Sequence, residues 1–278
     1  MVKQITPCPL LNNCIDNYMF VDIDWSNNKD IDSIWRLIPF GQISALFLYG
    51  DLHGYSNHGD SPLIYTPRSF IVGQLTKPLW LSFSGHTRLV KIQFKPAGAQ
   101  QLIHINLSEL TNNPCIPLEN LWGYHTSFLL EQLHNAKSDY ERAELLNNFF
   151  IKKLTPFNLQ STYIDYTLQQ LHNNNGNYKL QHLEQKLGIS GRQLERIFKT
   201  HVGLRPKDIS RSIRMNTALT LLSNKPETSL SKLAYELGYY DPAHFSKDFS
   251  QLTGLLPSKL KNKPEKELVV THGKCFYG

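Results

Sequence analysis

A run of eleven residues, Ser190 to Thr200, combines an apolar face with polar side chains at helical spacing. Leu194, Ile197 and Phe198 recur on one face of a helix, so the opposite face carries polar groups. Those groups are Arg192, Gln193, Glu195, Arg196 and Lys199. Arginine pairs with guanine, a carboxylate accepts a hydrogen bond from the cytosine amino group, and lysine neutralises phosphates. The pattern predicts a helix that contacts base edges through the first four residues and a phosphate through Lys199.

The residues before this run predict the element that positions it. A short helix is indicated by an apolar stripe at Leu180, Leu183 and Leu187. Gly188 ends that helix, because glycine adopts the left-handed conformation at little cost. Ser190 then caps the second helix, and Gln193, three residues on, completes a capping box. A helix, a glycine turn and a second helix with a polar outer face are typical of a helix-turn-helix.

A second unit of the same kind follows about 51 residues later, measured from Phe198 to Phe249. Its first helix has an apolar stripe at Leu230, Leu233, Ala234 and Leu237, and Gly238 ends it. Asp241 is predicted to cap the next helix, with Pro242 at the first helical position, where proline is favoured. Pro242, His244 and Lys247 take the places that match the first unit's base contacts. Asp248 is also expected to face outward.

One long helix is predicted to join the two units. It begins at Pro206, runs to about Ser223, and is stopped by Lys225 and Pro226. About 16 residues at 1.5 Å each span about 24 Å, and the flanking helices extend this toward the ~34 Å between successive major-groove faces. At the start of this helix, Arg205 and Lys207 are predicted to contact phosphates.

These two units resemble the AraC/XylS family of transcription regulators, over roughly residues 161–261. The residues that carry the resemblance are Ser190, Leu194, Arg196, Phe198, Lys199, Gly203, Pro206, Arg214, Ala218, Leu221, Leu222, Leu233, Ala234, Gly238, Tyr239, Phe245, Phe249, Gly254 and Pro257. Two departures are Arg205, where a small residue is usual before the proline, and acid at Glu195 and Asp248. The resemblance implies an all-α domain over 158–263 that binds double-stranded DNA and communicates with RNA polymerase. It implies no catalytic residue, metal or cofactor.

The first 110 residues are expected to form strands. The predicted strands are Gly41 to Gly50, Ser69 to Leu75, Leu79 to Phe83 and Arg88 to Phe94. The last of them alternates cleanly, with Leu89, Lys91 and Gln93 opposite Val90, Ile92 and Phe94. Several short strands separated by proline and glycine turns favour a sandwich or small barrel. The fold class is therefore α+β, with a β-rich domain before the helical one.

Four short strings resemble an uncharacterised sensor domain that precedes AraC-type modules and is similar to a cupin-like arm. The strings are Tyr49 to Asp51, Gly73 to Pro78, Phe94 to Ala99 and Leu118 to Gly123. The resemblance implies a pocket for a small-molecule effector. Aromatic residues that could line it are Tyr49, Trp80, Phe83 and Phe94. An ordinary β core accounts for the same aromatics equally well.

Helices are predicted at about 118–154, between the two domains. One covers about Thr126 to His134, and another opens at a capping box of Ser138 and Glu141 and runs to about Leu154. The apolar residues of the second are Ala143, Leu146, Phe149 and Phe150. They either meet a second copy of the chain, giving a homodimer, or cover the β domain. The resulting plan is a sensor and dimerisation domain at 1–157, a DNA-binding domain at 158–263 and a tail at 264–278.

Composition agrees with this plan. The 278 residues carry a net charge of +6, unevenly placed: from Gln160 onward there are 17 Lys and Arg against 10 Asp and Glu. The positive charge thus accompanies the helix-turn-helices, as a polyanionic partner requires. No stretch approaches the ~18 apolar residues of a membrane span, and the four scattered cysteines form no CxxC, so a reduced cytoplasmic protein without membrane contact is expected.

The sequence gives weaker support for a metal site or a catalytic cysteine. His53 and His58 lie near Asp51 and Asp60, but their spacing is not the HxH of metal-binding cupins, so a metal is disfavoured. Cys115 has no histidine placed to activate it. The alternatives that remain are an enzyme carrying a DNA-targeting module and an architectural DNA binder that needs no ligand.

Overall fold

The computed structural model describes residues 1–26, 34–39, 41–57, 61–156, 159–225, 227–261, 268–271 and 274–277. It has a β-rich amino-terminal part and a helical carboxyl-terminal part, which confirms the predicted fold class. The predicted boundary at residues 157 and 158 lies outside the described residues. The helical part begins with a helix at Leu159.

Twelve strands form within the described residues. They are β1 Val2–Ile5, β2 Ile15–Asp24, β3 Ile34–Leu37, β4 Ile43–Leu48, β5 Gly54–Ser56, β6 Ile64–Tyr65, β7 Ser69–Val72, β8 Leu79–Ser82, β9 His86–Phe94, β10 Ile116–Pro117, β11 Leu268–Thr271 and β12 Lys274–Tyr277. They make two six-stranded sheets. The first has the order β1-β2-β9-β4-β7-β10 and the second the order β12-β11-β3-β8-β5-β6. Four of these strands correspond to those predicted from the sequence.

The first sheet has two buried faces, which the alternation along β9 explains. Val90, Ile92 and Phe94 belong to a core cluster shared with helices. Leu89 and Lys91 point the other way and line a cavity between the sheets. The alternation predicted from the sequence is thus confirmed, and the domain has three layers: helices, first sheet, second sheet.

Eleven α-helices form within the described residues. They are α1 Gln100–Ile103, α2 Glu119–Trp122, α3 His125–Asn135, α4 Asp139–Ile151, α5 Leu159–Asn173, α6 Leu180–Leu187, α7 Gly191–His201, α8 Pro206–Asn224, α9 Leu230–Glu236, α10 Pro242–Thr253 and α11 Pro257–Lys261. A short 3-10 helix at Leu107–Leu110 follows α1. The first four helices cover the first sheet, and the rest form the carboxyl-terminal domain.

Helix α4 covers the protein's own sheet, which is the second of the two alternatives for its apolar face. Ala143, Leu146 and Phe150 are at most 3% exposed and lie in the core cluster of the first sheet. Phe149 packs edge-on against Trp122, with ring centroids 5.5 Å apart. The physical reason is that β9 and β4 present an apolar outer face that needs this cover. The four residues are therefore committed within one chain.

The two helix-turn-helix units have separate cores, and each core includes one residue of the amino-terminal domain. Ala97 joins the cluster of the first unit. Ile38 joins the cluster of the second, where it is 1% exposed. The Thr111 hydroxyl donates to the Gly203 carbonyl at 2.7 Å, and Arg36 Nη1 donates to the Thr253 carbonyl at 3.3 Å. The domains are thus joined by apolar packing and by hydrogen bonds.

Gly203 shows how close this approach is. Its φ of +91° lies in the left-handed region, and an added Cβ would lie 2.8 Å from the Leu107 carbonyl oxygen. Any side chain would therefore strain the backbone and push the end of α7 away from the 3-10 helix.

The carboxyl-terminal tail, for which the sequence predicts no structure, returns to the amino-terminal domain. Strands β11 and β12 form an antiparallel hairpin, and β11 pairs in parallel with β3, with Val269 opposite Arg36. The pairing joins residues more than 200 positions apart, so no local pattern reveals it. The second sheet is completed by the end of the chain.

Cys8, Cys14 and Cys115 are free thiols. The side chain of Cys275 lies outside the described residues, as do His58, Asp60 and Pro226. Among the described helices none has the length and apolar character to cross a membrane. No cluster of three or more His, Cys, Asp or Glu suited to a metal occurs in the described ranges.

Candidate nucleic-acid interface and interior cavity

The turn between α6 and α7 is built as the sequence predicts. Gly188 follows α6 with a φ of +66°, in the left-handed region. The Ser190 hydroxyl accepts a hydrogen bond from the Gln193 amide at 3.3 Å and so caps α7. The Glu184 carboxylate accepts from the Gly191 amide, a contact that sequence reasoning missed. Two of the free amides at the start of α7 are therefore satisfied by side chains.

The outer face of α7 is open. All five polar residues predicted to contact DNA are exposed: Arg192, Gln193, Glu195, Arg196 and Lys199. None of their side chains pairs with another residue in the described part of the chain. The inner residues Leu194 and Phe198 have no exposed surface. The helix thus presents three cations and two hydrogen-bonding side chains on one accessible surface.

The second unit has the same construction around α10. Asp241 Oδ1 accepts from the His244 amide at 2.7 Å, and Pro242 occupies the first turn. His244 and Lys247 are exposed, and Pro242 is partly buried. These residues match the predicted positions, with a smaller positive charge than α7 carries.

Asp248 does not face outward, which corrects the sequence analysis. Its residue is 5% exposed, and its carboxylate accepts from Arg211 Nε at 3.0 Å and Nη2 at 2.8 Å. The Tyr239 hydroxyl lies 3.4 Å from the same carboxylate. The hydrogen bond to Asp248 raises the pKa of Arg211. Helical spacing alone places Asp248 near the border of the outer face, and Arg211 on α8 draws it inward.

Helix α8 separates the two units. It has 19 residues, ends at Asn224, one residue beyond the predicted end at about Ser223, and spans about 28 Å at 1.5 Å per residue. Arg205 and Lys207 at its start are exposed. Arg205 Nε donates to Asp208 Oδ2 at 2.9 Å, and this hydrogen bond raises the pKa of Arg205. Arg205 is therefore already partnered, whereas Lys207 forms no ion pair with a described residue.

A cavity of about 230 Å³ lies between the two sheets of the amino-terminal domain. Its walls are mostly aliphatic and aromatic, with residues from both sheets. Of the four aromatics proposed as pocket residues, Phe83 lines it. Phe94 faces the helices and packs on Phe150, with centroids 5.9 Å apart. Trp80 lies beneath the Arg36 guanidinium at 5.2 Å.

Tyr49, the fourth aromatic, lies at a different surface. Its ring is 4.9 Å from the Arg142 guanidinium, and burial raises its pKa to about 12. It borders a shallow cleft between the first sheet and α3. The cavity wall also includes Lys91 and His53, which sequence reasoning did not single out for a pocket, together with the neutral polar residues Gln42, Ser44, Thr66 and Thr87.

Comparison with known proteins assigns the two halves separately. A family model described as a helix-turn-helix domain matches residues 183–263, which contain both units. A second model, a domain of unknown function (DUF6597), matches residues 3–116. The HTH-type transcriptional regulator GlxA of Rhizobium meliloti is 38% identical over 76 residues, covering 27% of this chain and 23% of its own. The carboxyl-terminal domain is therefore a helix-turn-helix domain, similar to part of a known transcriptional regulator.

Longer but weaker matches support the same assignment. An uncharacterized HTH-type transcriptional regulator of Haemophilus influenzae is 27% identical over 175 residues, covering 59% of this chain and 57% of its own. The Msm operon regulatory protein of Streptococcus mutans is 27% identical over 123 residues, covering 44% of each chain. The chain thus spans from about a quarter to just over half of these relatives' lengths.

A solved structure of ToxT from Vibrio cholerae aligns over 87% of this chain and 98% of its own, at 13% identity and a TM-score of 0.42. A similarity this low gives no ground for transferring properties. In the helix-turn-helix domain of this chain, the residue roles therefore depend on its own geometry. Glu184 and Arg211 are the two that sequence reasoning missed there. An acid one turn before a glycine turn could have indicated the former.

Proposed function

We propose that this protein is a sequence-specific DNA-binding transcription regulator of the AraC/XylS type. The observation that carries the proposal is the pair of capped helices, α7 and α10, each with an exposed polar face. The proposed base contacts are Arg192, Gln193, Glu195, Arg196, Pro242, His244 and Lys247. The proposed phosphate contacts are Lys199, Arg205 and Lys207. Because DNA is the partner, the proposed site of action is the cytoplasm, with RNA polymerase as a further partner.

The spacing of the two units supports simultaneous contact with one face of DNA. Helix α8, about 28 Å long, together with the flanking helices approaches the ~34 Å between successive major-groove faces. The excess of positive charge from Gln160 onward supports attraction to phosphates. Glu195 stands among the cations of α7, so its place against a cytosine amino group would add sequence preference rather than affinity.

A small-molecule effector in the amino-terminal domain is the second part of the proposal. The two-sheet domain is proposed as a cupin-like sensor, and its interior cavity as the effector site. The cavity wall includes Ile38, which also belongs to the core of the second helix-turn-helix. An occupant that displaces Ile38 would therefore change the packing behind α10. That shared residue supports coupling between the effector and DNA affinity.

Homodimerisation is proposed only as a source of avidity, since one chain already carries two units. Any twofold interface must use surface other than the buried face of α4. Sedimentation of the purified chain at tens of micromolar tests for a homodimer. A monomer at that concentration would reject homodimerisation. Phe149→Glu would instead destabilise the domain, because Phe149 packs on Trp122 and Phe150.

Selection of DNA by the purified chain tests the main proposal. Fragments enriched from a random pool should share a motif with two short conserved blocks about one helical turn apart. Enriched DNA should bind at least about a thousandfold more tightly than a scrambled sequence at equal salt, which is the lower end of the usual range of specificity ratios. Enrichment without a shared motif would indicate a non-specific binder, and equal affinity for all sequences would reject sequence-specific regulation.

A further inference from the structure

The interior cavity has an apolar body and one cationic group. Its apolar walls include Met19, Val21, Leu46, Phe70, Leu81 and Leu89, which come from both sheets. Lys91 extends into the same space from β9, where it is paired with Met19 and Leu46 in the middle of the first sheet. A lysine on a strand face between two sheets is unusual, because charged side chains are rarely placed in apolar surroundings without a partner.

No described residue neutralises Lys91. Its ammonium forms no ion pair or hydrogen bond within the described ranges. Among the acids that the structure describes, Asp16 raises the pKa of Lys91, but Asp16 is exposed and accepts a hydrogen bond from Gln93 at 3.0 Å. Burial lowers the pKa of Lys91 to about 8, so the group is still mainly protonated at pH 7. The cavity therefore holds a positive charge that an incoming anion could pair with.

A second polar group in the cavity wall also has unmatched hydrogen-bonding capacity. His53 is 5% exposed, and neither ring nitrogen has a partner among the described residues. Its ring meets the Phe83 ring edge-on, with centroids 4.9 Å apart. Since buried polar atoms are usually satisfied, the two unpaired ring nitrogens of His53, beside an unpaired Lys91 in the same cavity wall, give the cavity the chemistry of a binding site rather than of a packing defect.

We propose that this cavity binds a small monocarboxylic acid, with its carboxylate on Lys91 and its apolar body between the two sheets. The proposal names the effector class and so rests on the regulator function proposed above. One lysine matches one negative charge, whereas a phosphate would bring a second charge into apolar surroundings without a counter-ion. A volume of about 230 Å³ equals roughly eight water volumes of about 30 Å³, which favours a body of about eight to ten carbon atoms.

Calorimetric titration of the full chain tests the charge requirement. Octanoate and decanoate are titrated below micelle formation, alongside 1-octanol and octylamine as neutral and cationic matches. The carboxylates should bind at least tenfold more tightly than the alcohol, and the amine should bind most weakly. Equal affinity for acid and alcohol would overturn the proposal, since the cavity would then select only for apolar surface.

Lys91→Met tests whether the charge of Lys91 holds the carboxylate, because methionine keeps an unbranched apolar side chain but carries no charge. The variant should bind octanoate and 1-octanol with similar affinity, with the alcohol affinity unchanged or higher. Lys95→Met, at an exposed lysine just beyond β9, should keep the wild-type ratio. If Lys91→Met does not fold, Lys91→Gln replaces it. A folded charge-neutral variant that still prefers the acid tenfold would place the carboxylate elsewhere.

DNA affinity is measured separately, so the two proposals fail in different ways. The selected DNA is titrated with and without saturating decanoate, and a change of at least threefold in Kd is expected. If the acid binds but DNA affinity does not change, the cavity is a carboxylate-binding site, and its role as the effector site is rejected. Absence of sequence-specific DNA binding would reject the regulator function and leave the carboxylate titration as an independent result.

Discussion

Arg196 and Lys199 are neighbours on the exposed face of α7, yet they should act on DNA in different ways. Arg196 lies toward the middle of the face and should form a bidentate contact with one guanine. Arg196→Ala should therefore cost about 1–3 kcal/mol at a single base position. Lys199→Ala should weaken binding to every sequence and lower the salt slope by about one. Binding titrations against single-base variants of the selected DNA, at several salt concentrations, separate the two.

A uniform loss for Arg196→Ala, including on random DNA, would reassign Arg196 to a phosphate contact. Lys186, exposed on α6 and away from the predicted contacts, supplies the matched control. Lys186→Ala should leave base preference unchanged.

Asp248 should stabilise the folded protein rather than contribute to the recognition of DNA. Its carboxylate is 8% exposed and accepts two hydrogen bonds from Arg211, whose side chain is 21% exposed. Asp248→Ala would leave the Arg211 guanidinium without its partner. Removing one partner of a fully buried ion pair costs about 3–5 kcal/mol. Because Arg211 is partly exposed, we expect the free energy of unfolding to fall by about 2–4 kcal/mol. Glu236→Ala, which breaks the exposed Lys232 pair, should cost below about 1 kcal/mol. Urea denaturation compares them, and equal losses would contradict this assignment.

His53 should make stability depend on pH. Burial lowers its pKa from 6.5 to about 4, and the Asp51 charge opposes this shift only partly. The folded state thus favours the neutral ring, so protonation favours unfolding. The stabilising contribution is complete above about pH 6.5, is lost as the pH falls toward 4, and amounts to about 3 kcal/mol in total. Lys91, in the same cavity, remains protonated throughout this window.

His53→Phe should remove this part of the pH dependence. Free energies of unfolding from urea titrations at pH 4.5 to 7 should fall less steeply for the variant than for the parent. His134→Phe, at an exposed histidine on α3, should leave the parent's slope unchanged. Parallel curves for His53→Phe and the parent would show that His53 titrates freely in the folded protein.

At the scale of elements, the cap of α7 is a single replaceable contact. Ser190→Ala removes the acceptor for the Gln193 amide and should cost about 1 kcal/mol, whereas Ser190→Asp should retain most of the stability. Thermal unfolding measures both. Because the neighbouring Glu184 carboxylate already satisfies the Gly191 amide, a loss far above 2 kcal/mol would mean that Ser190 does more than cap the helix.

Sequence patterns predicted the elements whose signals are local. Gly188, Ser190 and Asp241 define helix ends through contacts with residues two to four positions away, and alternation along β9 fixes its two faces. The patterns failed where a residue far away in the sequence determines the orientation of a side chain or the pairing of a strand. Asp248 turns inward because Arg211 lies 37 residues away on α8. Strand β2, the longest in the fold, was not predicted, because its pairing with β9 rather than its own pattern defines it.

The candidate cavity shows the same limit. Lys91 was predicted to share a face with Leu89, and that is correct. That this face lies inside the protein depends on the second sheet, and the predicted sandwich or small barrel does not say which face of β9 that sheet covers. An alternating strand with a lysine on one face ordinarily turns that face to water, so only the packing of two sheets places Lys91 in the wall of an interior cavity.

For the whole molecule, the domains are coupled by shared cores rather than by a linker alone. Ile38 lies in the core of the second helix-turn-helix and Ala97 in that of the first. Ile38 follows β3 directly, and Ala97 lies three residues after the end of β9. A change in sheet geometry is therefore transmitted to each helix-turn-helix unit through a buried contact. A local change in the packing of one domain should alter the packing of the other.

The carboxyl-terminal hairpin should stabilise this arrangement, and truncation after Lys261 tests it. Strand β11 pairs with β3 through Val269 opposite Arg36 and Val270 opposite Leu37. Loss of these backbone hydrogen bonds, each worth about 0.5–1.5 kcal/mol net, would expose the edge of β3 next to Ile38. Amide exchange of Ile34–Leu37 should accelerate at least tenfold in the truncated chain, while β4, central in the first sheet, should keep its protection. Unchanged exchange in β3 would show that the hairpin contributes nothing to the sheet that carries the domain contact.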